Sequence, residues 1–165
     1  DGSYLKSAEL YDPSTGLWDI TGNMNYGRYS HTASVLTNGK VLVAGGQGNS
    51  SSNSYLKSAE LYDPSTGLWD ITGNMNYGRY SHTASVLTNG KVLVAGGQGN
   101  SSSNSYLKSA ELYDPSTGLW NITGNMNNTR IQHTASVLTN GKVLVTGGHN
   151  GSSGGYLASA ELYQR

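Results

Sequence analysis

Three histidines, His31, His82 and His133, recur at intervals of 51 residues, and a repeated imidazole is the first feature that could do chemistry. Set around a common axis, they could hold a metal ion. No second ligand type lies at a helical or hairpin spacing from any of them, so packing or hydrogen bonding is the better-founded role. His149 stands alone in a polar stretch and reads as solvated. Gly45-Gly46-Gln47-Gly48 follows an apolar run and invites a dinucleotide-binding reading. That fingerprint needs a helix next. Asn49-Ser50-Ser51-Ser52-Asn53 reads as loop instead, so no cofactor is expected. Ser, Asp and His are all present, but a triad needs one unique constellation, and repeated units duplicate every candidate. The chain has no Cys, which excludes disulfides, thiolate nucleophiles and Cys-ligated zinc. No catalytic residue, cofactor or metal is expected.

The elements that would position these residues come from a repeat. Residues 4–54 and 55–105 are identical at every position, and a third unit from Tyr106 keeps the frame through Gly148. It departs at Asn121, Asn128, Thr129, Ile131, Gln132 and Thr146, then in a loop that is one residue shorter. Each unit reads as four short strands: His31–Leu36, Lys40–Ala44, Ser58–Asp63 and Leu68–Thr72. Asn38-Gly39 predicts a tight hairpin turn with positive φ. Asp63-Pro64-Ser65-Thr66-Gly67 predicts a second turn, with Pro presetting φ and Gly taking the left-handed position. The second strand is apolar without alternation, so both of its faces should be buried. No window has sustained helical periodicity. A four-stranded sheet that is apolar on both faces needs a sheet on either side, and stacking like sheets around an axis supplies them.

The residues Gly45-Gly46, Tyr62 and Trp69 resemble the paired-Gly, Tyr and Trp signature of kelch repeats. The set recurs as Gly96-Gly97, Tyr113 and Trp120 and begins again at Gly147-Gly148 and Tyr163. The resemblance covers essentially the whole chain. It implies an all-β fold of kelch-type β-propeller blades, four-stranded and antiparallel, with an incomplete ring in one chain. Partial blades are expected over 1–22 and 125–165, and blade units over about 23–73 and 74–124. The implied function is a non-catalytic scaffold that binds protein or glycan or has an extracellular structural role. The alternative is a glycan-active hydrolase or oxidase on the same fold. Copper-radical oxidases of related fold need a Cys joined to a Tyr, and that centre does not carry over.

In kelch domains the loops joining strands two and three, and those leading to the next blade, share one face that often carries the ligand. By resemblance this places Tyr26, Arg28, Tyr29, Tyr77, Arg79, Tyr80 and Arg130 near a ligand site; Tyr and Arg are common interface anchors. In the third unit Asn128, Thr129, Ile131 and Gln132 interrupt the Tyr pattern. Glu9, Glu60, Glu111 and Glu161 sit two residues before the motif Tyr, and Arg28, Arg79 and Arg130 precede the first strand. They either pair or line a solvated strand edge. Asn49, Asn100, Asn121, Asn127 and Asn150 each open an Asn-x-Ser/Thr acceptor pattern. They favour a secreted glycoprotein, with a cytoplasmic location as the alternative.

Ten basic and ten acidic residues leave zero formal net charge, which gives no electrostatic case for nucleic acid or an anionic membrane surface. No apolar run approaches the length of a membrane span. The chain starts with Asp1 and both starts and stops inside a repeat, so it reads as a processed product or a piece of something longer. Its predicted strands fill slightly more than three blades, fewer than the about 4–8 of known propellers. The missing partner is further blades of a longer array, a second copy in a six-bladed pair, or successive copies in an open fibre.

Overall fold

The computed structural model describes residues 4–48, 55–99, 105–152 and 155–163. Every regular element among them is a strand. A leading half-blade consists of β1 (Glu9–Asp12) and β2 (Leu17–Ile20). The short β3 (Arg28–Tyr29) then leads into the first full blade, β4 (Thr32–Val35), β5 (Val41–Ala44), β7 (Ala59–Asp63) and β8 (Leu68–Ile71), with β6 (Gln47–Gly48) between its second and third strands. After β9 (Arg79–Tyr80), the second full blade is β10 (Thr83–Val86), β11 (Val92–Ala95), β14 (Ala110–Asp114) and β15 (Leu119–Thr123). It is interrupted by β12 (Gln98–Gly99) and β13 (Ser105–Tyr106). The last blade has three strands, β16 (Thr134–Val137), β17 (Val143–Thr146) and β18 (Ala160–Tyr163). All pairings are antiparallel, and full blades share one register: Leu42 faces Leu61, as Leu93 faces Leu112. No helix of the structure is long and apolar enough to cross a membrane.

The turns form for the expected reasons. Leu36 N–H donates to Lys40 O at 2.8 Å around Thr37-Asn38-Gly39, with Gly39 at φ +82°. At the other turn Asp63 Oδ1 accepts from Ser65 N–H at 2.9 Å, and Asp63 O from Gly67 N–H at 2.8 Å.

Packing between blades follows from the two-faced second strand. In β11, Val92 and Val94 pack with Leu42, Ala44 and Ala59 of the preceding blade and with Met75. Leu93 and Ala95 pack with Val143 and Val145 of the following one. All four residues of β11 are buried. The paired glycines let the blades close: Gly46, at φ +93°, donates its N–H to Arg79 O of the next blade at 2.8 Å. A side chain at Gly45 would lie 2.6 Å from that same oxygen.

The motif aromatics join the same seams. Tyr113 is fully buried, and its hydroxyl lies 2.8 Å from Thr72 Oγ1 of the preceding blade. Trp120 Nε1 donates to Gly73 O at 2.9 Å. The histidines bridge neighbouring inner strands: His82 Nε2 lies 3.0 Å from Thr32 Oγ1, and His133 Nε2 2.9 Å from Thr83 Oγ1. Burial and the nearby Arg79 guanidinium push His82 down to about 3; burial and Arg130 push His133 down to about 4. Both are neutral at ordinary pH, as a packed hydrogen-bonding element requires. Among the described residues no three His, Asp or Glu side chains cluster to hold a metal ion.

Candidate functional site: an aromatic face over buried ion pairs

The segments expected as plain loops pair with one another. Arg28–Tyr29 pairs with Gln47–Gly48, and Arg79–Tyr80 with Gln98–Gly99. These ribbons cap each blade and fix where their tyrosines stand. Arginine and tyrosine alternate along the two-residue strand, so one side chain points into the blade and the other out of it.

The inward arginines form a buried network. Arg28 Nη2 contacts Glu60 Oε1 at 2.7 Å, and Arg79 Nη2 contacts Glu111 Oε1 at 2.8 Å, with all four side chains fully buried. Each arginine also donates to the first carbonyl of its glycine pair: Arg28 Nη1 to Gly45 O at 2.6 Å, and Arg79 Nη1 to Gly96 O at 2.7 Å. The backbone N–H and side-chain amide of Asn25 hold Glu60 Oε2 at 2.6 and 2.9 Å. Burial raises the Glu60 carboxyl, but these donors outweigh it and hold it below its ordinary value. Arg130 and Glu161 repeat the pair at 3.0 Å in the last blade. The arginines, expected near a ligand site by resemblance, are therefore buried beneath this face rather than exposed on it. Their desolvated charge is stable only with the glutamate in place, and the tyrosines are what this face exposes.

Those tyrosines form a band. Tyr4 stacks on Tyr29 with centroids 5.4 Å apart, Tyr29 lies 6.2 Å from Tyr80, and Tyr80 lies 4.7 Å from Tyr55. Tyr29 and Tyr80 donate to the side-chain oxygens of Gln47 and Gln98 at 2.8 and 2.6 Å. Burial and neighbouring phenols push Tyr80 up to about 12, so it stays a neutral donor. Tyr26 and Tyr77 are each nearly half exposed. Tyr26 lines a cleft of about 350 Å³ with Tyr55, Lys57 and Asn74.

In the third unit Ile131 takes the place of Tyr80 and His149 that of Gln98, yet the two residues still bridge as in the ribbons. His149 is half-buried, lies 6.5 Å from Tyr106 and 5.2 Å from Tyr156, and accepts from Gly151 N–H at 2.9 Å. It is an aromatic member of the band rather than a solvated loop residue. Tyr4, Tyr55 and Tyr106 were not singled out from the sequence. The available signal was their fixed place one unit apart, just after each polar loop.

Ser30, Ser81 and Gln132 follow the ribbon positions and adopt φ of +51°, +52° and +52°; one column reading of the repeat, Ser-Ser-Gln, marks a shared backbone turn. Ser81 N–H donates to Ser30 O, and Gln132 N–H to Ser81 O, both at 3.1 Å. This line of hydrogen bonds offsets a left-handed conformation that costs a non-glycine residue about 1–3 kcal/mol.

Of the glycosylation candidates, Asn49 and Asn100 lie outside the described residues. Asn121 is exposed on β15. Asn127 is exposed, and its backbone N–H donates to Glu161. Asn150 Oδ1 accepts from Ser152 N–H at 3.0 Å and from its hydroxyl at 2.6 Å.

Comparison with known proteins agrees with the blade geometry. The family described as Attractin/LZTR1 beta-propeller matches residues 1–156. The chain belongs to the kelch-repeat β-propeller family. It is 30% identical to human Kelch-like protein 15 over 88% of this chain and 26% of that protein. It is 34% identical to the Arabidopsis thaliana F-box/kelch-repeat protein At1g67480 over 73% of this chain and 31% of that one. A further relative is mouse Kelch-like protein 23, 36% identical over 49% of this chain and 14% of that protein. The chain thus spans about a quarter to a third of the first two relatives.

Proposed function

We propose that this chain is a non-catalytic kelch scaffold that binds a protein segment across its tyrosine band, with the units 23–73 and 74–124 as its repeating blades. The carrying observation is the division within each ribbon: the charged residue is buried in a structural ion pair while the aromatic one faces outward. Beside that band, just ahead of each ribbon, the identical sequences of the first two units present Tyr26 and Tyr77 at matching exposures of 46% and 47%. Two matched aromatic anchors suit an extended or repetitive partner. Further blades of the same repeat complete the ring around this face.

A peptide-display selection on the purified chain tests the reading, beside a Tyr26→Ser/Tyr77→Ser variant checked for unchanged circular dichroism. Peptides enriched by the wild type should bind the variant at least tenfold more weakly. An absence of enrichment, or enrichment indifferent to the variant, overturns it. A glycan array read with the same pair gives the alternative ligand its chance: glycan binding without peptide binding overturns the protein reading. A secreted location is supported by the acceptor patterns alone, with Asn121 and Asn127 both exposed. Intact mass of chain from a eukaryotic secretory host, before and after deglycosylation, tests it.

A further inference from the structure

The zero net charge of the chain conceals an uneven distribution. Between β5 and β7 the one charged residue is Lys57, and between β8 and β10 it is Arg79; the next unit repeats them as Lys108 and Arg130. These connections, at the tyrosine end of the blades, therefore carry cations alone. At the opposite end Lys40 and Lys91 are answered by Asp63 and Asp114 at 2.9 and 2.8 Å. The buried arginines are answered by Glu60, Glu111 and Glu161. Lys57 and Lys108 are exposed and have no carboxylate partner among the described residues. The glutamates are not free to turn to them. Glu111 is fully buried and accepts from Asn76 N–H at 2.7 Å, Asn76 Nδ2 at 2.9 Å and Tyr77 N–H at 3.1 Å besides Arg79. Asp70, the acid left over, lies on the outer strand β8 opposite Leu61.

The backbone fixes where each lysine stands. Lys57 lines the cleft of about 350 Å³ with Tyr26, Tyr55 and Asn74. Its strand is pinned on both sides: Leu56 N–H donates to Gly46 O at 2.7 Å, and Met75 N–H to Lys57 O at 2.8 Å. The same bonds hold Lys108, from Leu107 N–H to Gly97 O and from Met126 N–H to Lys108 O, both at 2.8 Å. Tyr26 N–H donates to Glu60 Oε1 at 3.1 Å, so the buried ion pair also sets the wall of the cleft. An aromatic wall, a side-chain amide and an ammonium around one cleft suit a group that carries a carboxylate. A positive site also speeds encounter with an acidic partner.

We propose that the protein segment bound at the tyrosine band is acidic, with one carboxylate seated against Lys57 between Tyr26 and Tyr55 and another against Lys108 one unit further on. The inference rests on the reading of the band as a peptide-binding face and adds the charge of the partner. Lys57 and Lys108 are specificity residues there. Tyrosines offer apolar contact to any extended segment, and the lysines discriminate among segments by charge. A basic segment meets two uncompensated cations and is rejected. Both lysines belong to full four-stranded blades, just ahead of β7 and β14.

A peptide-display library with equal numbers of acidic and basic residues tests it. Peptides enriched by the wild type should carry more Asp and Glu than Lys and Arg, and their affinity should fall as salt rises. Lys57→Gln or Lys108→Gln should weaken them about threefold and the double change about tenfold, the scale of exposed charge pairs, with an unchanged circular dichroism spectrum. Lys57→Arg should bind as the wild type does. Lys57→Glu/Lys108→Glu should turn the selection toward basic peptides. Neutral or basic peptides enriched by the wild type, or acidic ones indifferent to Lys57→Gln/Lys108→Gln, overturn the proposal; where Tyr26→Ser/Tyr77→Ser still weakens those peptides, the peptide-binding reading survives. No enrichment at all overturns both. Heparin fragments or phosphatidylserine vesicles held through the two lysines, with no acidic peptide enriched, assign the site to a glycan or a membrane and overturn the proposal as well.

Discussion

The half-blade and the second full blade contain the same Glu-Leu-Tyr-Asp-Pro-Ser-Thr-Gly-Leu-Trp, in nearly the same hairpin, with opposite fates. Tyr11 stands next to Trp18 with ring centroids 5.1 Å apart, and Tyr113 next to Trp120 at 5.0 Å. Yet Tyr11 and Trp18 are 47% and 64% exposed, while Tyr113 and Trp120 are 0% and 8% exposed. Local structure is therefore set by the repeat and burial by the neighbours. A blade of this sequence forms its turns and ladders alone but acquires a core only when flanked, as expected where stability is shared between units and their interfaces.

The largest break in that comparison should come from the buried ion pair. Glu111→Ala leaves the Arg79 guanidinium buried with its charge unanswered. Urea denaturation should report a loss of about 3–5 kcal/mol, the range for removing one partner of a buried pair. Glu9→Ala, the same change at the open end, should leave the stability of the dilute chain within about 0.5 kcal/mol of wild type. Equal losses at both sites would show that neighbours do not set the cost.

Acid should act on the covered seams next. His82 and His133 have folded values depressed below that of the free side chain, so the unfolded chain takes up their protons first. Stability is full above pH 6.5 and is lost as pH falls from there toward about 4 and about 3. The slope should be about 1 kcal/mol per pH unit for each histidine. Glu60 and Glu161 are also held low, and they add to the loss only below about 4.5. Urea midpoints at pH 7, 6 and 5 isolate the histidine window. His82→Asn should flatten the profile there, and an unchanged slope would remove the histidines from the account.

A smaller effect separates the two tyrosines. Tyr113→Phe removes the hydroxyl that meets Thr72, and should cost about 1 kcal/mol, the usual value of one such hydrogen bond. Tyr11→Phe has no such partner to lose among the described residues and should be silent in the dilute chain. Thermal melts of the two variants make the comparison.

Much of this fold was legible because its signals are local. Asn38-Gly39 and Asp63-Pro64 mark turns through backbone preference, and Val41-Leu42-Val43 marks a two-faced strand through composition. The pairing of Arg28 with Glu60 lies across 32 positions and depends on the side to which β3 turns each residue. Spacing alone left that pair open between a bond and a wet edge, and it carried no sign that the arginines turn inward. The ribbons themselves were missed because two residues are too few to show a period of two. Tyr55 acquires meaning only once Tyr80 of the next blade stands against it, which is tertiary information.

The smallest predicted effect tests where neighbours stop mattering. Lys40 Nζ lies 2.9 Å from Asp63 Oδ2 in the first full blade, and Lys91 Nζ lies 2.8 Å from Asp114 Oδ2 in the second. Hydrogen bonds from Ser65 and Lys40 hold Asp63 down to about 2, and those from Lys91 and Ser116 do the same for Asp114. The two blades differ in how well their faces are covered, but both pairs lie at the solvent-facing turn, where water and salt screen the charges. Lys40→Ala and Lys91→Ala should therefore behave alike, with unfolding midpoints that cannot be told from wild type at physiological salt. If Lys91→Ala alone lowers the midpoint, covering a blade also strengthens its rim, and the division between a local turn and a shared core is too sharp.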